Sequence, residues 1–334
     1  MLKGRNEKYR MVLVEISKRC DKECGPCVSD STIDGLQMEF SLLTSVAEQV
    51  RDAMNDELDI GVVISGGEPI LYNYDGRRLY DIIKLFSDRD TYASFLTSGR
   101  TLDEETLFKD TLVELGGLAR WHGCDISANN YLPGGPERTK LSIEDMVSCG
   151  FQKINVNLTA DVKNFHESII SFVRDVCLPL GVKPPNKLFQ KDGTLNIDYL
   201  IALHRNQNQP VVFTGVNYEV HLNIFSVGKG GRNRNLKYAP FTVNYECNVV
   251  DSQALDLFVS YEGDILPCCT APMCTDKSLV IGTVRGGTIA DIFQREEELI
   301  RVIQMRYEMV SETFAGNVPK GTYFDICNHC AKLT

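Results

Sequence analysis

The sequence predicts an α/β fold followed by a small α+β module, and three observations carry that prediction. From residue 11 to about 225, short β-rich segments alternate with segments of helical period, the pattern of βαβ units in a parallel sheet. The alternation stops at residues 228–240, GKGGRNRNLKYAP, which has no periodicity and marks a boundary between a unit at 1–230 and a second at 231–334. Six of the twelve cysteines fall in the second unit.

Taken in order, MVLVEIS, DIGVVISGG, TYASFLTS, WHGCDIS, KINVNLT and VNYEVHLNIF read as six strands. SLLTSVAEQVRDAM, RRLYDIIKLFS, EETLFKDTLVELG and helices around 137–149 and 161–177 supply the crossovers, so the sheet is either doubly wound or curled into a barrel. Residues 183–210 delay the sixth strand beyond an ordinary αβ connection and read as an insertion carrying a short helix. Beyond the boundary, ALDLFVSYEGDILPCC reads as a hairpin turning at Glu262–Gly263, and TIADIFQREEELIRVIQMRYEMV as an amphipathic helix.

The last two strands of the first unit are polar on one face. Lys153, Asn155, Asn157 and Thr159 alternate with Ile154, Val156 and Leu158; Asn217, Glu219, His221 and Asn223 alternate with Val216, Tyr218, Val220, Leu222 and Ile224. If the apolar set lies under crossover helices, the polar set faces inward and lines a polar pocket, which puts Glu219 and His221 forward as catalytic groups. The alternative is a solvated face on an edge strand.

Composition narrows the functional classes. The chain has 334 residues and 43% hydrophobic residues, enough for a buried core, and no run approaches the ~20 apolar residues of a membrane span. A net charge of −10 disfavours nucleic acid as a partner. The N-terminal segment shows no export signal, so a cytoplasmic, reducing setting is expected, and twelve cysteines there point to metal or thiol chemistry rather than disulfides. Cys124, Cys149 and Cys177 are scattered and read as small core residues.

Directly after the first strand lies Cys20-x3-Cys24-x2-Cys27. Three thiolates on one loop at a strand's C-terminal end can hold three corners of an iron–sulfur cube and leave one iron open; a zinc knot would need a fourth protein ligand. The second strand ends in Ser65-Gly66-Gly67-Glu68-Pro69, where two glycines allow close backbone approach and Glu68 adds an acceptor for an amine; a simple turn is the plainer reading of those five residues alone.

Together these motifs resemble the radical S-adenosylmethionine (SAM) enzymes, whose signatures are the same Cys-x3-Cys-x2-Cys loop and Gly-Gly-Glu-Pro on a partial (β/α)6 barrel. The resemblance implies that Cys20, Cys24 and Cys27 bind a [4Fe–4S] cluster whose open iron is chelated by SAM, with Ser65 to Pro69 holding the methionine amine. It implies reductive cleavage to a 5′-deoxyadenosyl radical that abstracts hydrogen from substrate, and an electron donor of flavodoxin or ferredoxin type. It also brings forward Thr97, Ser98, Ser127, Asn129 and Asn157 as further SAM contacts.

The C-terminal cysteines extend the likeness. Cys247, a fifteen-residue spacer, Gly263-x4-Cys268 and Cys327-x2-Cys330 are similar to the auxiliary-cluster module called SPASM in its full form and twitch when truncated. Four thiolates at 247, 268, 327 and 330 would close a second [4Fe–4S] cluster; Cys269 and Cys274 have no assigned role. With four residues after Cys330, the twitch form is expected. The expected substrate is a polar small molecule undergoing dehydrogenation, epimerisation or rearrangement. A ribosomally made peptide is the alternative, ranked lower because Cys20 lies too near the N-terminus for a preceding leader-binding domain. From another class, a non-catalytic zinc or iron–sulfur scaffold leaves Gly66–Pro69 without a role.

Overall fold

The computed structural model describes residues 8–22, 24, 27, 29–55, 58–128, 134–160, 165–205, 209–226, 254–267 and 280–314. The six expected strands are all present: β1 (Lys8–Ser17), β2 (Leu58–Gly66), β3 (Tyr92–Thr97), β4 (Trp121–Ala128), β5 (Lys153–Ala160) and β7 (Glu219–Ser226). They run parallel to their neighbours in that order, the β1 to β7 stretch of one ten-stranded sheet.

Helices α1 (Phe40–Ala53), α2 (Leu79–Ser87), α3 (Leu107–Leu115), α4 (Gly135–Ser148) and α5 (Phe165–Ser171) make the crossovers, and α5 continues into a π-helical turn at Phe172–Cys177. The apolar spacing of α1 explains its place: Leu42, Leu43, Val46, Ala47, Val50 and Ala53 recur on one face and are buried. They join a core with Val12, Val14 and Ile16 of β1, Ile60 and Ile64 of β2, Ile154, Val156 and Leu158 of β5, and Val220 and Leu222 of β7. One face of each of these strands is therefore committed to the helices, and the opposite face forms the inside of a partial barrel.

The insertion carries α6 (Ile197–Arg205), as expected, and directly after it comes a strand that periodicity had assigned to no element. This is β6 (Val211–Thr214), which pairs antiparallel with β7 from Val211↔Leu222 to Thr214↔Glu219. It corrects the edge reading of the sixth parallel strand: β7 has β5 on one side and β6 on the other, so its polar face is not that of an edge strand.

The sheet also continues past β1. Strand β8 (Leu257–Val259) pairs parallel with β1, β9 (Asp264–Leu266) antiparallel with β8, and β10 (Gly282–Thr283) with β9. The β8–β9 turn has Gly263 at φ +90°, a left-handed conformation that glycine adopts without strain. The long expected helix is divided at Arg295 into α7 (Ile289–Gln294), capped by Thr288 and Asp291, and α8 (Glu296–Phe314). Arg10 of β1 and Glu296 at the start of α8 form a buried ion pair, and Glu296 also accepts from the Leu255 N–H at 2.9 Å. The boundary expected at 228–240 and Cys247, Cys268, Cys269, Cys274, Cys327 and Cys330 lie outside the described residues.

Candidate functional site

The loop after β1 and the turn after β2 are built as one unit. The Gly67 N–H donates to the Ser17 carbonyl at 2.6 Å and the Glu68 N–H to the Arg19 carbonyl at 2.7 Å, so the second motif is laced along the base of the first. A Cβ on Gly66 would strike the Ser17 carbonyl oxygen, one on Gly67 the Arg19 carbonyl oxygen, and Gly66 sits at φ +128°. Both glycines are demanded by this loop-to-loop contact. The sequence reading gave the two glycines the role of letting the backbone approach closely; the structure shows that the close approach is to the neighbouring loop, on which the Gly67 and Glu68 N–H groups are spent.

The far side of the cysteine loop is pinned in the same way. Lys18 N–H donates to Leu36, Cys20 N–H to Thr32, Thr32 N–H to Lys18 and Met38 N–H to Ile16, all at 2.7–3.0 Å. Ser31 N–H donates to Cys27 Sγ at 3.3 Å. Cys20, Cys24 and Cys27 are half-buried, with no disulfide among them. Burial, reinforced by the Glu68 carboxylate, pushes the Cys20 thiol up to about 12. It therefore holds its proton at neutrality until a metal takes the proton's place. Residues 23, 25, 26 and 28 lie outside the described ones, and among the described residues no three His, Cys, Asp or Glu side chains are gathered into a metal-ion site. Three thiols on one anchored loop are a donor set that fits three corners of an iron–sulfur cluster.

Glu68 is fully buried, and its carboxylate has partners within the protein. Thr97 Oγ1 donates to it at 2.7 Å, the Ser98 N–H at 2.9 Å, the Ser98 hydroxyl also donates, and Lys22 Nζ stands 4.0 Å away. Lys22, itself buried, is shared with Asp21 at 2.9 Å. Glu68, Thr97 and Ser98, proposed separately from sequence as SAM contacts, thus meet in one network that clamps the end of β3 to the turn after β2. An ammonium group at this turn would have to be met by backbone carbonyls, because the carboxylate is already engaged.

The inner face of the sheet is polar where expected. Cα register places Asp125, Asn155 and His221 at one level across β4, β5 and β7, and Ser127, Asn157 and Asn223 at the next level toward the strands' C-terminal ends. Asn155 Nδ2 donates to Asp125 Oδ1 at 2.9 Å and Asn223 Nδ2 to Asn157 Oδ1 at 3.1 Å. His221 Nε2 is 2.8 Å from Glu219 Oε2. Asn129 lies outside the described residues.

Sequence reasoning passed over Glu15. It stands in phase with Met11 and Leu13 on the inner face of β1, directly beside Ser65, with its side chain 2% exposed. Lys18 Nζ approaches its Oε1 at 3.5 Å, too loose for a hydrogen bond, and the Tyr261 N–H reaches Oε2 at 3.5 Å. Burial raises its pKa. The available signal was a lone carboxylate inside the otherwise apolar run MVLVEIS. Lys18 also lies over the Tyr261 ring at 5.6 Å and donates to the Ser29 carbonyl, so it touches both the cysteine loop and the β8–β9 turn.

Residues 247–331 match the SPASM family, an iron–sulfur cluster-binding domain, and residues 8–115 match a 4Fe-4S single cluster domain. Among solved structures, SuiB of Streptococcus suis bound to S-adenosylmethionine is similar at 16% identity and TM-score 0.51, covering 85% of this chain and 65% of that one. SuiB bound to its precursor peptide SuiA is similar at 15% identity and TM-score 0.51, covering 85% and 64%. The chain thus spans just under two thirds of the length of SuiB. The structure of anSMEcpe with bound AdoMet and the Cp18Cys peptide is similar at 12% identity and TM-score 0.51, covering 88% and 82%. No curated protein matches by sequence.

Proposed function

We propose that this chain, whose residues 247–331 match the SPASM iron–sulfur cluster-binding domain and whose residues 8–115 match a 4Fe-4S single cluster domain, is a radical SAM enzyme that abstracts hydrogen from a polar substrate held on the inner face of the barrel. The observation that carries the reading is the lacing of Gly67 and Glu68 to Ser17 and Arg19, at the base of the Cys20–Cys27 loop, at the C-terminal ends of strands whose inner face is polar on β4, β5 and β7. Its cofactors are [4Fe–4S] clusters and SAM. When bound, they supply a 5′-deoxyadenosyl radical.

The chain's own residues divide the remaining tasks. Cys20, Cys24 and Cys27 would hold the radical-generating cluster, and Cys247, Cys268, Cys327 and Cys330 the auxiliary one. Ser65 to Pro69 would present carbonyls to the methionine amine, while Glu68, tied to Thr97 and Ser98, keeps that turn rigid. Ser127, Asn129 and Asn157 would meet polar groups of SAM at the strand ends. His221 would face the substrate from β7 one level further in, with the half-exposed Glu219, a further level down beside Lys153, against its Nε2. A flavodoxin or ferredoxin would deliver electrons, and the oxygen-labile clusters suit a cytoplasmic setting.

The substrate is read as a small polar molecule, for which dehydrogenation, epimerisation and rearrangement are the candidate outcomes. A peptide is the second reading, favoured by the peptides bound in the similar SuiB and anSMEcpe structures. Anaerobic reconstitution followed by SAM and dithionite should yield 5′-deoxyadenosine, with about eight irons per chain for two cubane clusters. Deuterium transfer into 5′-deoxyadenosine from labelled small molecules or labelled peptides then decides between the substrate classes. Zinc without sulfide would instead support a scaffold.

A further inference from the structure

His221 carries an atom whose hydrogen bonding is incomplete. Its side chain is 13% exposed, its Nδ1 is shut off from solvent, and that nitrogen has no hydrogen-bond partner among the described residues. Buried polar atoms are almost always satisfied, so an exception calls for a missing partner. The neighbouring strands do not supply one. On the β6 side the register partner is Val212, which is apolar. On the β5 side it is Asn155, whose amide is donated to Asp125.

The other ring nitrogen settles what Nδ1 offers. A carboxylate only accepts, so Nε2, 2.8 Å from Glu219 Oε2, carries the proton in the neutral ring. Nδ1 is then a lone pair aimed away from Glu219. We propose that His221 Nδ1 receives an O–H or N–H group of the substrate, so that the enzyme selects substrates with a hydroxyl or amine at this level of the barrel, with Glu219 as the residue that fixes the tautomer. This rests on the reading of the inner face as the substrate site and adds to it the kind of group that must be recognised. The adjoining Asp125–Asn155 pair holds the floor of the level, so a group lacking a donor leaves the imidazole unsatisfied and is rejected.

The test uses reconstituted holoenzyme labelled with nitrogen-15 histidine, at mildly alkaline pH, with ethanolamine and 1,2-dimethoxyethane as probes. The His221 Nδ1 resonance should be that of an unprotonated nitrogen. It should shift saturably with ethanolamine and by less than about one tenth as much with the ether, which has no donor. Glu219→Lys, which places a donor against Nε2, should move the proton to Nδ1 and abolish the ethanolamine response; Glu219→Gln, which can still accept through its amide oxygen, should preserve it. A protonated Nδ1 in the wild-type protein, no response to ethanolamine, or equal responses to the two probes would overturn the assignment. Assaying the same preparation for 5′-deoxyadenosine separates the two ideas: cleavage of SAM with a failed histidine test removes only this inference, whereas absence of cleavage removes the radical reading.

Discussion

Two glycines and two carboxylates illustrate how the site depends on single residues. Gly66 and Gly67 are fixed by collision with the Ser17 and Arg19 carbonyls rather than by any ligand. Gly66→Ala should therefore destabilise the protein by about 2 kcal/mol or more, from an unfavourable backbone conformation plus the clash. The check is the urea midpoint together with iron per chain after reconstitution, and both should fall. Glu15 makes the opposite prediction. Its folded pKa lies above that of the unfolded chain, so the protonated side chain is the one the fold prefers. The stability it offers is complete below the unfolded value near ~4.3 and is lost as pH rises through the folded value. Glu15→Gln should raise the melting temperature at neutral pH, and the gain should fade on acidification toward that value. The motif residues were legible as residues. Their division of labour was not, because spacing shows neither that Glu68 is consumed by Thr97 and Ser98 nor that Glu15 is turned inward beside Ser65.

At the scale of elements, the six parallel strands and most crossovers were readable because each strand buries one face under helices, which leaves a period-2 signature. KINVNLT and the 219–226 strand gave the polar inner face for the same reason. Strand β6 was missed because four residues, VVFT, are too few to show alternation. Arg295 divides the long helix because the capped turn at Thr288 starts one helix and the run Glu296–Glu298 starts another. The element-level tie is the pair Arg10–Glu296, which fastens α8 to β1. Arg10→Ala alone should cost about 3–5 kcal/mol by leaving Glu296 buried without its cation, whereas a joint Arg10→Met, Glu296→Leu replacement should recover most of the loss. Chemical denaturation of the wild type and the two variants measures this, and an equal loss in the joint variant would show that packing rather than charge is responsible.

Across the whole molecule, β1 is the shared strand: its C-terminal end leads into the cysteine loop, and its open edge carries β8, β9 and β10 of the C-terminal module. Lys18 and Glu15 contact the β8–β9 turn through Tyr261, so module and loop are braced against one another. Spacing alone suggested two units joined by a boundary, because the pairing of β8 with β1 is between residues about 245 apart and leaves no local trace. Replacing Cys327 and Cys330 by Ala should leave 5′-deoxyadenosine formation detectable while the ratio of product to 5′-deoxyadenosine collapses, if the auxiliary cluster takes part in turnover. A structural role would instead lower the melting temperature markedly. The central claim is that the loop after β1 generates the radical, and it is tested most directly by comparing wild-type protein with the Cys20→Ala, Cys24→Ala, Cys27→Ala variant under anaerobic conditions with SAM and dithionite. The wild type should form 5′-deoxyadenosine, and the variant should retain one cluster and form none above background; 5′-deoxyadenosine from the variant at the wild-type rate would contradict the account.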